Sequence, residues 1–183
     1  MCSADQYLSH YQFKEIHRKV IQASIDDVFF AVRSYDPADD QFFRYMIMLR
    51  ELPMRVLKLF GQSSSNNEAF GLNNFTLLEA SKNEIVYGLV GQFWKLNYGQ
   101  VAIANADEFH QFKKPSYAKL ILVFELKEIS DKETELMTET RVLCLDGQAY
   151  KRFRVYWYII RPISGLIRRR ILQGIKNKIV KNK

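Results

Sequence analysis

The chain predicts an α+β fold in which a curved antiparallel sheet wraps one long C-terminal helix. Three observations predict it. Phe153, Trp157, Ile160, Ser164, Ile167, Ile171, Ile175 and Ile179 recur at three- and four-residue intervals, which sets them along one side of a helix. Residues 117–129 and 134–145 alternate apolar and polar with period two, as half-buried strands do, and Ser130 to Glu133 between them reads as a hairpin turn. Near the other end, a β-branched run from Phe13 to Ala23 precedes Ser24-Ile25-Asp26-Asp27, a helix start.

The elements follow in order. Phe13 to Ala23 is the first strand, and its residues leave open which face turns inward. Ser24 can cap a helix whose first turn carries two carboxylates against the positive helix end, and Val28, Phe29 and Val32 form its apolar side. Asp36-Pro37 breaks that helix. A second one is expected from about Asp39 to Leu52, with Phe42, Phe43, Met46 and Leu49 inward and Pro53 at its end. Residues 61–74, polar and aperiodic, read as a loop.

Phe75 to Ala80 and Glu84 to Trp94 are expected strands, the second carrying Gly88 and Gly91, which permit bulges and sharp coiling. After a turn at Asn97-Tyr98-Gly99, Gln100 to Ala104 reads as another short strand. In the hairpin, Ala118, Leu120, Leu122, Phe124 and Leu126 share one face, and Leu136, Thr138, Thr140, Val142 and Cys144 share the matching one. Pro162 is expected to kink or interrupt the long helix near residues 158–162.

A length of 183 residues suits one domain, 1–183, with a substantial core. The charge is uneven. The net +7 comes from eleven Lys or Arg and no acid in the last 37 residues, leaving 16 bases against 20 acids before them. Cys2 and Cys144 are too few for a disulfide framework or a metal cluster, and His10, His17 and His110 show no ligand spacing, so neither metal nor cofactor is expected. The N-terminus lacks the basic and apolar regions of a secretory signal, and no apolar run reaches the roughly 18 residues of a membrane span. A cytoplasmic protein is expected.

This order of elements resembles the START-like helix-grip superfamily, which includes the birch pollen allergen and the aromatic polyketide cyclases. The junction Ile21-Gln22-Ala23-Ser24-Ile25-Asp26-Asp27-Val28-Phe29, the hairpin at 117–145 and the closing helix carry the likeness over nearly the whole chain. Gly88-Leu89-Val90-Gly91-Gln92-Phe93-Trp94 and Tyr156-Trp157-Tyr158-Ile159-Ile160-Arg161-Pro162 look like an uncharacterised bacterial branch, and no catalytic residue transfers with the resemblance. It implies an apolar cavity between sheet and helix, lined here by Trp94, Leu120, Leu122, Phe124, Thr138, Thr140, Phe153, Tyr156, Trp157 and Ile160. Thr138 and Thr140 would offer hydroxyls to orient a ligand on an otherwise apolar wall. The same residues also serve simply as core.

The leading expectation is non-catalytic binding of an apolar or amphipathic small molecule, a lipid or a polyketide-like compound. A rival is a cyclase- or dehydratase-like enzyme using His110 with Asp107 or Glu108, which requires those side chains to enter the cavity. The alternative for that cluster is a solvated turn or helix cap. Glu139 and Arg141, two apart on a strand, are surface charges in the register above; in the reverse register Arg141 would face a ligand's acidic group.

A third expectation is an interaction module. Arg168, Arg169 and Arg170 suit an anionic membrane or simply solubilise a helix end, and nucleic acid is disfavoured because the aromatics point inward. Val155, Ile159, Pro162 and Leu166 form a thinner apolar stripe opposite the main one, suited to a homodimer, a membrane or a neighbouring loop.

Overall fold

The computed structural model describes residues 3–34, 74–95 and 98–181. In chain order they form α1 (Ser3–Tyr7), β1 (Phe13–Ile21), α2 (Ile25–Arg33), β2 (Thr76–Ala80), β3 (Glu84–Gly91), α3 (Ala106–Gln111), β4 (Ala118–Ser130), β5 (Glu133–Cys144) and α4 (Gly147–Lys181). The helix expected over 39–52 and all but the last residue of the loop expected over 61–74 lie outside the described residues.

The sheet has the order β1-β5-β4-β3-β2, with every neighbouring pair antiparallel. One face packs on α4 and α2. Along α4, Phe153, Trp157, Ile160, Ile167, Ile171, Ile175 and Ile179 are all buried, as their spacing predicts, and Ser164 is half-buried among them. Burying each such aliphatic or aromatic side chain contributes roughly 1.5–3 kcal/mol before ordering costs. The fold is therefore the expected α+β arrangement, an antiparallel sheet closed by one long helix.

Local chemistry sets the helix ends. The Ser24 hydroxyl accepts the Asp27 N–H at 3.3 Å and opens α2. Asp146 opens α4, accepting the Ala149 N–H at 2.7 Å with one carboxylate oxygen and the Ser116 N–H at 2.6 Å with the other. Those bonds hold its carboxyl below the usual carboxylate range.

Several expectations are corrected. The strand expected to reach Trp94 stops at Gly91, because a turn brings the Tyr98 carbonyl to 2.8 Å from where a Gly91 Cβ would lie, and Tyr98 accepts the Gln92 N–H at 2.7 Å. Gln100–Ala104 forms no strand, only a bridge between Val101 and Val90. α4 runs unbroken through Pro162, which is exposed. The missing N–H leaves the Tyr158 carbonyl without its usual helical donor on a side chain position open to water.

The second face of the sheet is also covered. Ala4 and Leu8 from the α1 segment and Phe109 from α3 bury Val86, Val90, Ile121 and Val123 in a separate apolar cluster. Glu139 and Arg141 lie on this face and are neither inward nor surface charges. Arg141 donates to Glu139 Oε1 at 2.5 Å, to Asp5 Oδ1 at 2.5 Å and to the Leu8 carbonyl at 2.9 Å, while its guanidinium lies 4.8 Å from the Tyr11 ring centre. Lys14 bonds the same Glu139 oxygen at 2.9 Å. The pair is a clamp that ties the N-terminal segment to the sheet.

Candidate functional site

The register decides what the inner face offers. Phe13, Val142, Leu120 and Leu89 form one cross-strand row. Glu15, Thr140, Leu122 and Tyr87 form the next, and His17, Thr138, Phe124 and Ile85 the one after. The first row is apolar throughout. In the other two, apolar residues of β3 and β4 give way to threonines on β5 and to an acid and an imidazole on β1.

The apolar end meets an aromatic group on α4. Ring centres of Phe153 lie 4.9 Å from Phe13, 5.8 Å from Tyr156, 5.8 Å from Trp157 and 6.5 Å from Trp94. Leu120, Leu122, Phe124, Phe153, Tyr156, Trp157 and Ile160 all join one buried cluster, with Trp94 half-buried against it. These residues come together as the sequence predicts. Thr138 and Thr140 are buried beside them, at 1% and 4% exposure.

The polar end is the part that sequence reasoning missed. His17 Nε2 lies 2.8 Å from Glu15 Oε1, and the two side chains are only 15% and 10% exposed. They sit against Gly165 of α4, where an added Cβ would come within 3.1 Å of Glu15 Oε1 and 3.6 Å of His17 Cε1. The absent side chain is what lets the helix approach the pair. Between β1 and α4 lies an open cleft of about 440 Å³, lined by Glu15, His17, Ile16, Arg161, Pro162, Gly165, Leu166 and Arg169 together with Lys14.

Two polar atoms here lack partners. Glu15 Oε2 and Thr138 Oγ1 are buried with no hydrogen bond, as is Trp94 Nε1 elsewhere on the inner side. An orphaned hydroxyl costs about 1–3 kcal/mol and a charged group more, so such atoms mark places where a donor or acceptor is wanted. The direction of this bond follows the imidazole tautomer; with Nε2–H as donor, Glu15 accepts through Oε1 and keeps Oε2 for a second donor. Such a pair can orient a polar group or shuttle a proton.

Asp107, Glu108 and His110 do not enter this region. All three are exposed on α3, which packs on the opposite face of the sheet. Glu108 is occupied as a helix cap: its N–H bonds Asn105 Oδ1 at 2.9 Å and its carboxylate takes the Ala104 N–H at 2.7 Å. The His110 ring stacks on Tyr7 with centres 5.1 Å apart. Acid–base work in a cavity by these residues is excluded by their placement. Among the described residues, no three His, Cys, Asp or Glu side chains gather where a metal ion could be held.

A signal for the missed pair is present in the sequence. Phe13-x-Glu15-x-His17 puts an acid and an imidazole on the same strand face as a phenylalanine, and Phe13 belongs to the core. Fixing which face turns inward therefore fixes the pair.

No family model matches the chain, and no curated protein matches it in sequence. Among solved structures, a conserved protein from Geobacillus kaustophilus is similar at 12% identity and a TM-score of 0.46, covering 92% of this chain and 96% of its own. A norcoclaurine synthase from Thalictrum flavum is similar at 10% identity and 0.42, covering 93% and 95%. The ZhuI aromatase/cyclase from Streptomyces sp. R1128 is similar at 8% identity and 0.36, covering 94% and 95%. At these values the likeness adds nothing to the site, whose chemistry rests on Glu15, His17, Thr138 and the cleft around them.

Proposed function

We propose that the chain binds an amphipathic small molecule between the inner sheet face and α4. The apolar wall is Leu120, Leu122, Phe124, Phe153, Tyr156, Trp157 and Ile160, with Trp94 at its margin. The polar end of the ligand lies in the cleft and bonds the Glu15–His17 pair, with Thr138 and Thr140 behind. One observation carries this reading: a buried carboxylate oxygen and a buried threonine hydroxyl stand without partners at the polar margin of an apolar layer. The cleft of about 440 Å³ supports the polar end alone, since the apolar wall residues are buried core and do not line it; its volume is within the roughly 300–1,000 Å³ of small-molecule sites.

Native mass spectrometry of the purified chain, followed by solvent extraction, tests it. A reproducible adduct that is weakened by Glu15→Gln and by Thr138→Val supports the assignment. An adduct indifferent to both substitutions places the ligand elsewhere and overturns it.

The contact of 2.8 Å between carboxylate and imidazole favours a second reading, in which the pair moves a proton on the bound molecule as a cyclase or dehydratase does. His17→Gln separates the two. If the extracted compound is converted by the native chain and bound but left unchanged by the variant, the catalytic reading holds; recovery unchanged from both leaves binding alone.

A further inference from the structure

The outer side of α4 carries an apolar surface that no other described residue covers. Val155 is 60% exposed, Tyr158 66%, Ile159 49% and Leu166 47%, values that core-closing helices reserve for polar residues. Successive steps of 100° set these four and exposed Pro162 within one sector of the helix about 100° wide. Bases bracket it. Lys151, Arg152 and Arg154 precede the stripe, Arg161 flanks it and Arg169 follows, all exposed, and the helix contains no Asp or Glu.

That charge pattern selects the occupant. Two copies meeting face to face would oppose cation to cation, with no acid on either helix to relieve the contact. A basic rim around aliphatic and tyrosyl side chains matches an anionic lipid surface, where apolar groups enter the acyl boundary and Lys or Arg meet phosphates. No helix among the described residues is long and apolar enough to cross a membrane. The contact is therefore one of a helix lying on the surface. We infer that the outer face of α4 docks the protein on anionic bilayers.

The docking face and the cleft share a border. Arg161, Pro162, Leu166 and Arg169 belong to both, so docking turns the cleft mouth toward the lipid. The docking rests on the exposed face alone and stands whether or not the cleft holds a ligand. The delivery of an amphiphile from the bilayer to Glu15 and His17 rests in addition on the binding function proposed above.

Vesicle flotation of the full chain tests the docking. Vesicles of phosphatidylcholine with phosphatidylglycerol should carry the protein at low salt, and phosphatidylcholine alone should not. Lys151→Glu with Arg152→Glu should lower the bound fraction roughly tenfold or more. Val155→Ser with Ile159→Ser should lower it similarly at unchanged circular dichroism, since neither residue is in the core or the cleft. Three results would overturn the inference: no flotation on the anionic vesicles, flotation indifferent to both pairs of substitutions, or a dimer on size exclusion that the serine variant dissociates. Loss of flotation in the variants with the adduct of the native chain retained separates failure of docking from failure of binding.

Discussion

Replacing Thr138 by valine should raise the stability of the ligand-free protein, an unusual direction for a buried position. Thr138 is 1% exposed and its buried hydroxyl oxygen has no partner, so the folded state carries its desolvation cost, about 1–3 kcal/mol, without a compensating bond. Valine has nearly the same shape, suits a strand equally well and removes that cost. A gain of about 1 kcal/mol is expected, or roughly 2–4 °C in Tm for a chain of this length. Thr134, four residues earlier on the same face of β5, provides the contrast. It is fully buried, but its hydroxyl donates to the Ala23 carbonyl at 2.9 Å. Thr134→Val should therefore destabilise by about 1–2 kcal/mol. Both variants would be melted by calorimetry after solvent extraction, and Thr138→Val again in its co-purified state, where loss of the ligand's bond should reverse the sign. If Thr138→Val lowers the Tm of extracted protein as much as Thr134→Val does, the hydroxyl is satisfied in the free state and the polar-anchor argument fails.

Other expected outcomes follow from the clamp, the helix cap and the buried thiol. Arg141→Met strands Glu139 on the covered sheet face with Lys14 alone, and urea unfolding should show a loss of about 3 kcal/mol together with faster proteolysis near α1. The Ala149 and Ser116 N–H groups lower the Asp146 carboxyl, so the stability it contributes is present above about pH 4 and lost as pH falls through the depressed folded-state value. Asp146→Asn should accordingly melt below the parent at pH 7 with the gap closing in acid; a gap constant with pH contradicts the charge-assisted cap. Burial pushes the Cys144 thiol up to about 12, so native protein should leave it unmodified by iodoacetamide at pH 8 while urea exposes it, as peptide mass mapping would show.

The long helix and the hairpin were legible because each repeats its period many times. The isoleucines from 167 to 179 and the alternation from Ala118 to Leu126 leave little choice of face. The covered second face was harder to read. α1 has five residues and α3 six, too few to display a helical period, yet they decide that Arg141 and Glu139 are buried. One trace of that cover was available: Ile121 and Val123 occupy the supposedly polar side of β4. The Glu15–His17 pair was hidden by an undecided strand face. Its partner Gly165 is 150 positions later in the chain, and only the fold brings the three together. Pro162 does not interrupt α4 for a different reason: on the solvent side of the helix, water can serve the carbonyl that the ring leaves unbonded.

Among the described residues β1 lies at the edge of the sheet and pairs with β5 alone, which has a kinetic consequence. Hairpin β4–β5 closes across a tight turn at Asp131 and Lys132, a local event on the microsecond scale, roughly 1–10 μs for an isolated hairpin. β1 must instead wait for a partner far along the chain, since Phe13 pairs with Val142 and Ile21 with Thr134. During synthesis the first strand emerges long before the edge it will occupy exists, with Val20 and Ile21 open to other partners. The cleft needs β1 on one side and α4 on the other, so it cannot exist until these two distant segments have met. A ligand bonding Glu15 and His17, as proposed above, would find its site only after α4 had packed against β1.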